Sequence, residues 1–114
     1  MATINSQRIG EAGIVPTMTN IEASNNFLNT GYQFIYYRNS SGVSKTITIT
    51  TQVTSIRSPL YGNITKDNAV KVVANGEDCM IGPFSVDAYN DNDGLTTFAI
   101  TPFSEADEVA ILYL

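Results

Sequence analysis

The chain has 114 residues, 43% hydrophobic and 15% charged, with a formal net charge of −5. That length suits one folded core, the apolar content excludes disorder, and the acidic balance with no basic patch argues against a nucleic-acid partner. Its single cysteine, Cys79, rules out an internal disulfide, and the absence of histidine removes the commonest general base and zinc ligand.

Residues 1–31 hold neither a helical nor a two-residue period. Ile4, Ile9, Ile14 and Val15 are scattered among polar residues and Gly10, Gly13 and Pro16. The segment reads as an extended N-terminal arm, too apolar for a solubility tail, and the four apolar residues are the candidate partner interface. It lacks a basic stretch followed by an apolar one, so no export signal is expected, and no apolar run is long enough for a membrane helix.

From Tyr32 the pattern changes, and residues 32–114 read as one β domain. The run Tyr32 to Arg38 is dense in aromatics that favour strands, and Asn39-Ser40-Ser41-Gly42 closes it with turn chemistry, predicting a hairpin. Its partner, Ser44 to Val53, alternates Ile with Thr, placing Ile47 and Ile49 inward and Thr46, Thr48 and Thr50 toward water. Residues 54–68 are rich in turn signals and read as a long connection between sheets.

Ala69 to Val73 alternates again and stops at Asn75-Gly76, which supplies the backbone for a tight reversal into Asp78–Ile81. Gly82-Pro83 ends that strand and Phe84 drops back as a plug. After the turn cluster Asn90–Gly94, Leu95–Thr101 and Glu108–Leu114 read as the last two strands, with room for one helical turn capped by Ser104 between them. The expected core is Ile35, Ile47, Ile49, Val70, Val72, Ile81, Phe84, Phe98, Ile100 and Ile111. Short strands at about ten-residue spacing predict an all-β fold, an antiparallel β-sandwich of jelly-roll-like form.

Catalytic constellations fail one by one. Cys79 sits in a predicted strand without an activating partner and reads as a buried thiol. Asp91-Asn92-Asp93-Gly94 resembles the middle of a calcium loop, but the first and last ligand positions would fall on Tyr89 and Ile100, which carry no carboxylate. No pair of carboxylates is placed for glycoside chemistry and no phosphate loop is present. No enzyme activity, cofactor or metal is expected.

Phe34-Ile35-Tyr36-Tyr37-Arg38-Asn39, the Thr-Ile alternation from Thr46 to Thr50, Ala74-Asn75-Gly76, Ile81-Gly82-Pro83-Phe84, Tyr89-Asn90 and Asp93-Gly94 together resemble a family of small virion structural proteins of tailed bacteriophages. The resemblance covers residues 32–114. It implies a capsid decoration, or cement, protein that binds the major capsid protein and forms a homo-oligomer on the virion surface, after synthesis in the host cytoplasm. A head-tail connector, neck or tail protein is the alternative within structural roles, and a glycan-binding attachment module is the alternative outside them. No catalytic residue carries over, because the family pattern contains none.

Overall fold

The computed structural model describes residues 2–52, 55–58, 62–65, 68–104 and 106–114. Its strands are β1 (Ala2–Thr3), β2 (Ser6–Arg8), β3 (Thr19–Asn20), β4 (Asn25–Leu28), β5 (Phe34–Arg38), β6 (Lys45–Ile49), β7 (Ser55–Ser58), β8 (Gly62–Thr65), β9 (Ala69–Val73), β10 (Asp78–Ile81), β11 (Leu95–Thr101) and β12 (Glu108–Tyr113). One helical turn, α1 (Val86–Tyr89), lies between β10 and β11.

The fold is mostly β, with two mixed sheets packed together. The first sheet runs β1-β4-β11-β6-β9 and the second β10-β5-β12-β2, with β3 adding to β12. Both sheets feed one core: Phe27, Ile47, Ile49, Phe98 and Ile100 from the first, Ile35, Tyr37, Val109 and Ile111 from the second. Alternation explains the contribution of β6, where the inward isoleucines are buried and Thr46 and Thr48 are half-buried on the opposite face.

The expected hairpin between β5 and β6 does not form. β5 pairs with β10 and β12, whereas β6 pairs with β11 and β9, so the turn at 39–44 carries the chain from one sheet to the other. The Asn75-Gly76 reversal does the same between β9 and β10; Gly76 adopts the positive φ of 84° that the turn needs, but the flanking strands join different sheets. Local turn chemistry fixes the reversal and not the pairing.

Two buried asparagines fasten these crossings. Asn39 donates from Nδ2 to the carbonyls of Val43 and Val73, both at 2.9 Å, and accepts from Ser41 through Oδ1, while Gly76 N–H donates to its carbonyl at 2.7 Å. At another crossing, Asn29 donates from Nδ2 to Phe84 O at 3.1 Å and Asn90 Oδ1 at 2.8 Å, and Asn90 Nδ2 donates back to Asn29 O at 2.8 Å. Inter-sheet loops expose backbone groups at the core margin, and these amides satisfy them.

The expected separate arm is corrected. Ile4 is 3% exposed and belongs to the core, β1 pairs in parallel with β4, and β2 pairs in parallel with β12. β4 lies between β1 and β11 with Phe27 fully buried, so the folded unit begins well before residue 32. Strands of two and three residues are too short to display a period, which is why this segment reads as irregular in sequence.

Two further expectations change. Val70 and Val72 are exposed and Val73 is buried instead, while Ile81 is only partly buried. The 54–68 connection contains the antiparallel β7–β8 pair; the turn residues Pro59, Tyr61, Lys66 and Asp67 lie outside the described residues. The helical turn falls at 86–89, where Ala88 and Tyr89 are buried; near Ser104, Asp107 N–H donates to Ser104 O at 3.1 Å.

Candidate functional site

The four residues expected to form an interface are divided by the fold. Ile4 is in the core and Ile9 is half-buried, with its N–H donating to Tyr113 O at 2.7 Å. Ile14 and Val15 instead share the loop between β2 and β3, and Val15 is 92% exposed. Gly13 turns this loop at φ 81°, with its N–H donating to Gly10 O at 3.0 Å. At the base Gln7 clamps Thr17 in both directions: Nε2 donates to Thr17 O at 2.8 Å and Oε1 accepts from Thr17 N at 2.9 Å. An apolar tip above a hydrogen-bonded base loses little conformational freedom on binding.

A second surface was not legible in the sequence. The register places Val72, Thr46 and Thr101 in one row across the first sheet, and Val70, Thr48 and Ala99 in the next. Farther along, Leu95 lies opposite the exposed Leu28, whereas Asn26, opposite Thr97, is buried. None of these positions carries a charge. The second sheet differs: Arg38 Nε lies 3.5 Å from Asp78 Oδ1, and Tyr36 OH donates to Asp78 Oδ2 at 3.0 Å. Arg38 also donates to Tyr36 OH at 3.0 Å, so that charge is already engaged within the domain.

The groups with chemical potential are used structurally. Cys79 is buried, and burial pushes its thiol above the ordinary value. Asp91 Oδ1 accepts from the N–H groups of Asp93 and Leu95, closing the turn that had suggested a calcium loop. Among the described residues no group of three or more Cys, Asp and Glu side chains is placed to hold a metal, and no helix is long and apolar enough to cross a membrane. Lys45 and Asp107, both buried, pair with each other across the sheets.

No family model, curated protein or solved structure matches the chain.

Proposed function

We propose that this protein is a structural component of a tailed-phage virion, a capsid decoration protein that binds the major capsid protein and stabilises the shell as one of many copies. The observation that carries this reading is the exposed Ile14–Val15 tip on its Gln7–Thr17 clamp. A preorganised apolar tip inserts into a partner pocket as a local anchor, with the surrounding polar loop as its rim. The uncharged Thr and Val rows of the first sheet add a broad area on which a neighbouring subunit packs without stranding a charge. The protein acts by contact and not by catalysis, at the capsid surface.

The strand path supports a jelly-roll-like antiparallel sandwich as the finer description. From β4 to β6 and from β9 to β12, each consecutive strand crosses to the other sheet, and the crossings stack beside one another. Loops at both ends are then available for contacts while the core stays closed.

Co-sedimentation with expanded, undecorated capsids tests the reading. The wild-type protein should pellet at a fixed ratio to the major capsid protein, and Val15→Asp should reduce binding at least tenfold while leaving thermal unfolding unchanged. Failure of the wild-type protein to pellet, or undiminished binding by Val15→Asp, would remove the proposed anchor.

A further inference from the structure

Three chain segments converge at one end of the second sheet: the ends of β2 and β12 and the approach to β5. With the end of β4 they border an open groove of about 500 Å3, where Arg8, Tyr32, Gln33 and Tyr113 stand beside the exposed apolar side chains of Leu28 and Leu114. Strand register builds it. Arg8 is the parallel partner of Tyr113, and Leu112 lies opposite Phe34, which brings Tyr32 and Gln33 alongside the last residues of β12.

The groove collects donors that the fold does not use. Gln33 is only 5% exposed, and its Oε1 accepts from Thr30 N at 2.8 Å and Thr30 Oγ1 at 3.0 Å, which fixes the amide orientation. Its Nε2 makes no hydrogen bond among the described residues, and Gln33 lines the groove. Arg8 likewise has neither a hydrogen bond nor an ion pair among the described residues. The aromatic groups are similarly divided: Tyr36 and Tyr37 donate to Asp78 and Asp107 and Tyr89 is buried, whereas Tyr32 is 72% exposed and Tyr113 borders the same groove.

An exposed aromatic ring, a fixed amide donor and an unpaired guanidinium select a ligand with an apolar ring face, acceptor oxygens and one negative charge. We propose that this groove binds an acidic saccharide: the Arg8 guanidinium holds the sugar carboxylate, Gln33 Nε2 donates to a ring or hydroxyl oxygen, and Tyr32 stacks on the pyranose face. A phosphate-rich polymer fits poorly, since Arg8 is the groove's one cationic side chain on a chain of net charge −5. The site uses neither Ile14 nor Val15, so its test is separable from that of capsid attachment.

The full chain, labelled with 15N, is titrated with digalacturonate, diglucuronate and sialyllactose, alongside the neutral methyl ester of digalacturonate and a tetraglutamate peptide. At least one acidic saccharide should give saturable shifts of the Gln33 side-chain amide and Arg8 Nε–H, with the ester bound at least tenfold more weakly. Arg8→Gln and Tyr32→Ala, both at exposed positions, should each weaken binding at least tenfold while the remaining spectrum stays native. The assignment is overturned if none of the three saccharides gives a saturable shift at 10 mM, a ceiling of roughly −2.7 kcal/mol in affinity. It is equally overturned if the ester binds as well as the acid, or if tetraglutamate shifts the same groups as strongly.

Discussion

Lys45 and Asp107 form an ion pair between the two sheets, Nζ to Oδ2 3.1 Å, with 3% and 4% of their side chains exposed. Lys45 opens β6 and also donates to Pro102 O at 2.6 Å, while Asp107 precedes β12 and accepts from Tyr37 OH through Oδ1 at 3.1 Å. Oδ2 is held by charge and proximity rather than by an aligned hydrogen bond. The backbone joins in, since Ile21 N–H donates to Asp107 O at 3.0 Å. The pair therefore ties β6, β12 and the segment before β4 at one point.

Removing one partner strands the other charge away from water, a loss of about 3–5 kcal/mol. Asp107→Asn and Lys45→Met should each lower unfolding stability by that order in urea titrations. The combined variant Lys45→Met, Asp107→Leu, Tyr37→Phe leaves no unpaired polar side chain in the cluster and should be more stable than either single variant. Single variants that cost less than about 1 kcal/mol would show that water reaches the pair.

Phe84 is buried 5.5 Å from the Tyr89 ring and 6.0 Å from that of Phe27, measured between centroids. It closes the end of the core where α1 crosses between sheets. Phe84→Ala should cost about 3–5 kcal/mol through lost burial and the cavity left behind. A loss comparable to an exposed-site change would contradict the packing seen here.

Just before it, Gly82 has φ 131°, and a Cβ built there would lie 2.9 Å from Phe34 Cβ and 3.0 Å from Phe34 Cα. Phe34 Cβ is fixed by its own Cα, and the Gln33 carbonyl oxygen lies 3.1 Å away, so none of these atoms can swing aside without moving the backbone. Gly82→Ala should therefore destabilise by about 1–3 kcal/mol, as overpacking does, with strain at positive φ added. Thermal unfolding measures this, and a midpoint equal to wild type would mean that β10 shifts freely against β5.

The contrast between β6 and β9 shows what was readable and why. In β6 the Ile-Thr alternation names its own inner face, and burial follows it at Ile47 and Ile49. In β9, Ala69-Val70-Lys71-Val72-Val73 offers apolar residues on both faces; Val73, opposite Lys45, settles the choice, and Lys71 sits at an edge where its amine reaches water. Consequently Ile49→Ala should cost about 2–5 kcal/mol, whereas Val72→Thr should stay within about 0.5 kcal/mol. The outer rows could not be read because register, not local pattern, assembles Val72, Thr46 and Thr101 from three distant segments. Of the expected interface, Ile14 and Val15 were legible as apolar residues in a Gly-rich loop, but Ile4 looked the same and is buried, since only its parallel neighbours distinguish it. The groove around Gln33 left no signal at all, because a lone glutamine announces a site only when its surroundings are known.

The pH dependence of stability should be alkaline in origin. Burial raises the Cys79 thiol, and burial followed by the Asp107 charge and hydrogen bond raises the Tyr37 phenol well above its ordinary range. For both, the folded state holds its proton more tightly than the unfolded chain does. Their stabilisation is therefore complete below the unfolded values, about 8.5 for Cys and 10 for Tyr, and is lost as pH climbs through and above them. Urea unfolding between pH 7 and 11 should show stability beginning to fall near the first value and falling more steeply past the second. Cys79→Val should flatten the first part and Tyr37→Phe the second, each relative to its own stability at pH 7. A wild-type profile flat to pH 11 would mean that neither proton is held by the fold, and with it the burial of Tyr37 against Asp107 would have to be abandoned.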